Sequence, residues 1–301
     1  MISICIPTYN RLSSLKQCLE SIFEGFKTYP YEVIIADGGS KDGTIEYIKN
    51  LDKNNVKLIE QGELKGVTKS YNESFKIADG EYIYPGNDDT IIKPKVIIKA
   101  CKILDEDDQI GLVAPKDQEV VFGNFPGVTI KMRQYWTLLG KFHIFRSDIL
   151  KKINYFDESL RTYYSDDDSC LSVLQLGYSY LFTKEVGMIH YRYSDEEVKN
   201  VRTINRNKKI NEKELAYIQK KWEKLKFKIY EYLKPYPTKK RKALYFAHFC
   251  SKTYHSKILK YLVSKGLYDF CLKQSVVFND KKYNKLKDFY LAQRYPDDIL
   301  N

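Results

Sequence analysis

The sequence predicts an α/β fold built on a mostly parallel sheet with helices on both faces, and three observations lead there. Short, almost continuously apolar runs alternate with segments whose apolar residues recur every three or four positions. That is the pattern of strands buried on both faces between amphipathic helices. The runs stop at clusters of Pro, Gly, Asn and Asp, which end strands and make turns. The chain has 301 residues, 43% of them hydrophobic, enough for one large domain or for a domain with an appendage.

The elements follow in order. Residues 2–6, "ISICI", make the first strand, ended by Pro7; Leu12, Leu15, Leu19, Ile22 and Phe23 then keep helical spacing. "VIIA" at 33–36 is the second strand, ended by "DGGSKDGT", and Ile45, Ile48 and Leu51 open the next helix. "VKLIE" at 56–60 is the third, followed by a helix with Val67, Tyr71, Phe75 and Ala78 on one face. "EYIYP" at 81–85 is the fourth, broken by Pro85-Gly86, with Val96, Ile97, Ala100, Cys101 and Leu104 on the helix after it. Beyond a strand at 110–114 the rhythm fades, and residues 115–141 read as a loop-rich insertion. "FHIFR", "YSYLF" and "VGMIH" are expected as separate strands, with a helix at 167–176 ahead of Gly177. From about residue 196 the pattern is helical and rich in Lys and Tyr.

Six scattered cysteines, with no Cys-x-x-Cys pair, read as buried free thiols in a reducing compartment. The N-terminal "MISICIPTYNR" has no basic n-region, so it is not expected to be a signal peptide. No run approaches the ~20 apolar residues of a membrane span. A soluble, cytoplasmic protein is expected, peripheral to the inner membrane face if its tail binds lipid. Charge divides the chain. Residues 196–301 carry 26 Lys and Arg against 11 Asp and Glu, whereas residues 1–195 carry 24 against 28. The asymmetry argues for two parts, 1–195 and a basic helical 196–301.

In an open parallel sheet, ligands bind beyond the carboxyl ends of the strands. "PTYNR", "ADGGSKDGT" and "GNDDT" all fall at such ends. Asp37, at a strand tip, could accept from a base N–H or a ribose hydroxyl. Asp42 is equally well explained as a cap for the helix after it. Neither Gly-x-x-x-x-Gly-Lys nor Gly-x-Gly-x-x-Gly occurs, so a P-loop and a dinucleotide fingerprint are both excluded.

"ISICIPTYNR", "VIIADGGSKDGT" and "KGVTKSYNESFKIADGEYIYPGNDDT", then "FDESLRTYYSDDDSCLSVLQLGY" and "VGMIH", resemble in this order the motifs of family 2 glycosyltransferases of GT-A fold, a Rossmann-like architecture. The resemblance covers about residues 1–192. It implies an inverting transfer of sugar from a nucleoside-diphospho-sugar, a UDP-sugar in preference, to a glycan or lipid-linked glycan in surface polysaccharide or glycoprotein glycan assembly. It places Pro7, Thr8 and Tyr9 around the pyrimidine, with Arg11 in the same cluster, Asp37 on the base, and Lys69 near the nucleotide or its phosphates. Asn87, Asp88 and Asp89 stand where the family has Asp-x-Asp. Asp89 would bind Mg2+ or Mn2+ bridging the two phosphates, with His190 nearby and Arg192 able to share the diphosphate. Oxygen ligands and a leaving diphosphate suit such hard ions. Asn87 in place of the first Asp removes one negative charge from the site.

On the acceptor side, Ser165 and Asp168 form a Ser-x-x-Asp capping box, which leaves Asp166 unexplained. The resemblance puts Asp166 on the family's general base, with Asp168 orienting it or touching the acceptor; Ser165 replaces the family's usual Glu. His143 reads as structural, and Tyr135 and Trp136 as either an acceptor platform or core. The basic tail, with Trp222, Leu225, Ile229 and Leu233 in one stripe, fits a helical cap on the catalytic domain or a membrane-surface patch. No nucleic acid is expected, since no recognition motif accompanies the charge. The competing reading is a non-catalytic GT-A-like module that holds a nucleotide-sugar or glycan and docks a partner or membrane through its tail.

Overall fold

The computed structural model describes residues 1–121, 129–131, 143–176, 178–192, 208–221 and 290–293. The first half alternates as its sequence predicts: β1 (Ile2–Thr8), α1 (Leu12–Gly25), β2 (Tyr31–Asp37), α2 (Thr44–Lys49), β3 (Val56–Glu60), α3 (Val67–Lys76) and β4 (Tyr82–Pro85). A short β5 (Thr90–Ile92) and α4 (Pro94–Glu106) come next. The remaining elements are β6 (Ile110–Val121), β7 (Thr129–Lys131), β8 (Ile144–Arg146), α5 (Ser147–Lys152), α6 (Ser165–Gln175), β9 (Ser179–Arg192), α7 (Lys208–Lys221) and β10 (Tyr290–Gln293).

The strands join one sheet in the order β10-β9-β6-β8-β4-β1-β2-β3, with β5 on β9 and β7 on β6 off that path. β3, β2, β1 and β4 are mutually parallel. β8 runs against both β4 and β6, which restores the original direction in β6, and β9 is parallel to β6. The sheet is therefore mostly parallel, with β8 as the reversed strand in its middle and β10 reversed at its edge.

Side-chain alternation sorts the core into two layers. Ile2, Ile4, Ile6, Val33 and Ile35 face α1 and α4, meeting Leu15, Leu19, Ile22, Ile97, Ala100 and Leu104. Cys5 and Ile34 point to the other face, against Tyr71 and Phe75 of α3, Ile149 and Leu150 of α5, and Cys170 and Val173 of α6. Helices thus cover both faces, which is why the strand sequences are apolar at nearly every position. Cys5, Cys18, Cys101 and Cys170 are buried free thiols, as expected; Cys250 and Cys271 lie outside the described residues.

Three expectations about the second half need correction. Residues 115–121 are strand rather than loop: β6 runs on to Val121 and pairs with β7. "YSYLF" and "VGMIH" are one long strand, β9, not two. The polar stretch Thr183-Lys184-Glu185 between them carries no turn residue. Register shifts between β6 and β9 near Ala114 and Lys116 absorb the irregularity as bulges do. The three residues of β5 have no counterpart in the sequence reading, because so short a run carries no periodicity. Among the described residues no helix is long and apolar enough to cross a membrane. The stripe at 222–233, Tyr135 and Trp136 lie outside the described residues.

Candidate active site

The carboxyl ends of β1, β2 and β4 converge. Register pairs Thr8 with Asp37, and the Gly38 N–H donates to the Thr8 carbonyl at 3.0 Å. β4 flanks β1 on its other side, with Cys5 opposite Pro85, so the Asn87–Asp88–Asp89 turn leaves the sheet beside Thr8. Asp88 and Asp89 are both buried, at 5% and 8% exposure. Adjacent carboxylates out of water need compensation, and Arg11 supplies it. Its Nη1 donates to Asp88 Oδ1 at 2.8 Å and to Asp89 Oδ2 at 3.1 Å. Thr8 Oγ1 donates to Asp88 Oδ2 at 2.9 Å. Burial pushes the Asp88 pKa up and Arg11 opposes it; Asp88 in turn holds the guanidinium firmly protonated. His190 reaches the same cluster from β9, where it sits opposite Thr90 of β5. Its Nε2 lies 3.0 Å from Asp89 Oδ1.

Asp37 is fully buried at the tip of β2. Its Oδ1 accepts the N–H groups of Gly39 at 2.8 Å and Ser40 at 2.7 Å, while Oδ2, also buried, has no hydrogen-bond partner among the described residues. A buried acceptor left open costs about 1–3 kcal/mol, and a ligand N–H or O–H at the rim would remove that cost. The loop after Asp37 admits only glycine at position 39. Its φ is +88°, and a Cβ there would stand 2.5 Å from the Gly62 carbonyl oxygen. Gly43, not Asp42, takes the cap position of α2; Asp42 Oδ1 accepts from Thr44 N–H at 3.2 Å, and its Oδ2 accepts the N–H of Leu12, the first residue of α1, at 2.9 Å. Asn10, at φ +49°, completes the lock by donating its N–H to Ser40 Oγ and accepting from Lys41 N–H.

Asn87 is a scaffold residue here. Its side-chain oxygen accepts from Tyr71 Oη at 2.8 Å, its carbonyl from Thr90 Oγ1 at 2.7 Å. Pro7 and Tyr9 sit half-buried at the end of β1, while Lys69 is exposed on α3. The structure therefore gathers Thr8, Arg11, Asp37, Asp88, Asp89 and His190 into one rim, with Asn87 bracing the turn.

Asp166 and Asp168 lie at the start of α6. Tyr164, with φ +64°, occupies the cap position, and its carbonyl accepts the Asp168 N–H at 2.8 Å. The capping position is thus one residue earlier than the sequence reading of Ser165. Asp166 is half-buried. Asp168 is 3% exposed, and its Oδ2 takes a hydrogen bond from Lys221 Nζ at 2.9 Å. It faces a cavity of about 430 Å³ shared with Asn72, Lys76, Asp157, Glu158 and Lys221. His143 is core, edge-on to Phe145 and beside the Cys170 sulfur. The side chain of Arg192 lies outside the described residues.

The profile of the family described as "Glycosyl transferase family 2" matches residues 3–161, just over half the chain. The chain belongs to glycosyl transferase family 2. Among curated relatives of this family-2 chain, glycosyltransferase GlyG of Streptococcus pneumoniae is 30% identical over 128 residues, 42% of this chain and 39% of that protein. A Methanococcus voltae enzyme is 39% identical over 88 residues, 27% of this chain and 26% of its own. It is named dolichyl N-acetyl-alpha-D-glucosaminyl phosphate 3-beta-D-2,3-diacetamido-2,3-dideoxy-beta-D-glucuronosyltransferase. The matched stretches thus span well under half of either relative. The structure of Staphylococcus aureus TarS 1-349 with UDP-GlcNAc superposes with a TM-score of 0.58 at 16% identity, covering 91% of this chain and 80% of that one. That likeness establishes the GT-A fold expected from the sequence.

The residues that sequence reasoning missed belong to α7. Glu214 is 4% exposed and Lys221 holds two carboxylates. The signal available was their spacing: Glu214, Ile218 and Lys221 share one helix face.

Proposed function

We propose that this chain is an inverting glycosyltransferase that moves a sugar from a nucleoside-diphospho-sugar, a UDP-sugar in preference, to a hydroxyl of a glycan or lipid-linked glycan. The observation that carries the reading is the open, buried Oδ2 of Asp37 on the same rim as Asp88 and Asp89. A pyrimidine ring N–H is the partner such an acceptor lacks. TarS, the fold neighbour, was solved with UDP-GlcNAc, and the dolichyl-linked substrate in the name of the Methanococcus voltae relative supports a lipid-linked acceptor.

In the proposed reaction the acceptor oxygen attacks the anomeric carbon as Asp166 takes its proton. The bond to the diphosphate breaks, and its electron pair leaves with the diphosphate. One carboxylate within hydrogen-bond reach of the acceptor suffices as base. The donor set suits Mg2+ or Mn2+ only in partnership with substrate: Asp89 and His190 would hold the ion. Among the described residues no group of three His, Cys, Asp or Glu is gathered to hold one unaided. Such ions commonly take one or two carboxylates plus phosphates; when bound, the ion would offset charge on the departing diphosphate. Arg11 already neutralises part of Asp88 and Asp89, so metal affinity is expected to depend on nucleotide.

Thermal unfolding with UDP, dTDP, GDP and CMP, each with Mn2+ or with chelator, tests the reading. At about a hundred times its Kd a nucleotide adds roughly 2.7 kcal/mol, and for a domain this large each kcal/mol raises Tm by about 2–4 °C. A rise with UDP that chelator reduces is expected. No rise with any nucleotide would sink the proposal.

A further inference from the structure

We infer that Glu214, on α7, is a positioning residue for the acceptor-side segment that carries Asp166. The inference rests on the glycosyl-transfer reading above, but it concerns a residue outside the family match, which ends at residue 161.

Residues 161–163 turn the chain into α6, and they expose three successive backbone N–H groups that no strand or helix pairs. The Glu214 carboxylate takes all of them. Oε1 accepts from Arg161 at 2.9 Å, Oε2 accepts from Tyr163 at 2.7 Å, and Thr162 sits 3.3 Å from both oxygens. Consecutive amides converging on one anion form a nest, and hydrogen bonds to a charged acceptor are among the stronger ones. The two partners are 53 residues apart for Arg161, so this is tertiary structure imposed on the loop rather than a local turn.

The rest of α7 shares the task. Ile218 is buried in the same apolar cluster as Tyr71, Phe75, Phe156, Leu160 and Cys170. Lys221 donates to Asp157 at 2.7 Å and to Asp168 at 2.9 Å, and Tyr217 also donates to Asp157. On its far side the segment is tied to α3. Thr68 Oγ1 donates to the Leu160 carbonyl, and the Thr68 N–H to that of Arg161 at 3.4 Å. Glu214 therefore fixes a short stretch whose one end is welded to α3 and whose other end carries Asp166. The left-handed Tyr164 lies between, a conformation that non-glycine residues hold only when their surroundings enforce it. A buried carboxylate that does nothing catalytic itself thereby sets where the base stands.

The test compares the full-length wild type with Glu214→Gln and Glu214→Ala. UDP release from a panel of UDP-sugars, nucleotide-dependent thermal shift, and amide hydrogen exchange at residues 161–163 are measured on each. Gln keeps one acceptor oxygen and should be intermediate between wild type and Ala. A misplaced base costs about ten- to a hundredfold, so kcat is expected to fall by that factor while the donor KM stays within about twofold and exchange at 161–163 accelerates. An unchanged kcat in a folded Glu214→Ala variant overturns the inference alone, as does a KM that rises in step with the loss of kcat. Failure of the wild type to release UDP from any sugar overturns the glycosyl-transfer reading and this inference with it.

Discussion

At the ends of β1, β2 and β4 the candidate side chains are placed by the sheet itself. Thr8 faces Asp37 across a ladder rung, Asp88 follows β4 within a few residues, and Arg11 spans both carboxylates from the first turn after β1. The segment 157–168 is held differently. It has left the sheet, and its backbone amides and carboxylates are bound by Glu214, Tyr217 and Lys221 from a helix far along the chain. The rim and the segment are held by two kinds of constraint. The first follows from pairing neighbouring strands; the second depends on a helix reaching back. Donor binding and turnover should therefore be separable by mutation.

The largest effect is expected from Asp166→Asn. Loss of a general base costs on the order of 10²–10⁴ in kcat, and because the change lies on the acceptor side, the thermal shift with UDP should persist. Single-turnover assays beside nucleotide titrations check both halves. Full turnover in the variant would remove the assignment, and loss of UDP binding would show that the two regions are not separable.

Arg11→Met comes next and strikes the donor rim. It leaves Asp88 and Asp89 buried without their cation, and breaking such a pair costs about 3–5 kcal/mol. Urea unfolding should show that loss, and the double variant Arg11→Met, Asp88→Asn should recover part of it. A single variant as stable as the wild type would mean that the carboxylates protonate or hydrate at no cost.

Asp37→Asn should act on nucleotide affinity alone. Replacing the open carboxylate oxygen with an amide forfeits a charge-assisted hydrogen bond of about 1.5–3 kcal/mol, roughly ten- to a hundredfold in Kd. At saturating donor the kcat should hold. An unaltered UDP affinity would move the base contact elsewhere on the rim.

How much of this was legible follows the same division. The four leading strands, their apolar faces, and the polar clusters at their ends are local strings, so the clusters that hold Thr8, Arg11, Asp37, Asp88 and Asp89 are legible in the sequence and do lie side by side. His190 was placed near Asp89 only by resemblance. What brings it there is β5 pairing with β9, and β5 is too short to announce itself. The long β9 reads as two strands because Thr183-Lys184-Glu185, three polar residues in succession, interrupts its apolar pattern. Glu214 was invisible for a different reason. In "NEKELAYIQKK" it looks like one charge among many on a solvated helix, and its burial depends wholly on amides elsewhere in the chain. The resemblance pairs Asp168 with Asp166, and the structure adds a hydrogen bond to Asp168 from Lys221, a partner 53 residues away that no local motif announces.

The smallest effect should come from the outer clasp of that segment, and it is a pH effect. Burial alone would raise the Asp157 pKa, but hydrogen bonds from Lys221 and Tyr217 and the Ser159 N–H outweigh it and draw it down to about 2. A carboxyl group lowered in the folded state stabilises it above the ordinary aspartate range near 4, and that contribution drains away as pH falls through 2. Lys221→Met should therefore lower Tm by a small, constant amount above about pH 5, with the difference shrinking toward zero below about pH 2. Exposed pairs contribute little, so the cycle with Asp157→Asn, read by thermal unfolding across pH, is needed to isolate the pair from the Lys221–Asp168 bond. If Lys221→Met leaves UDP affinity and the pH profile of UDP binding untouched, the clasp belongs to the acceptor segment alone. A shifted nucleotide affinity would instead mean that α3, which holds Leu160 through Thr68 and the Asn87 turn through Tyr71, passes strain from one region to the other, and the two constraints would have to be treated as one.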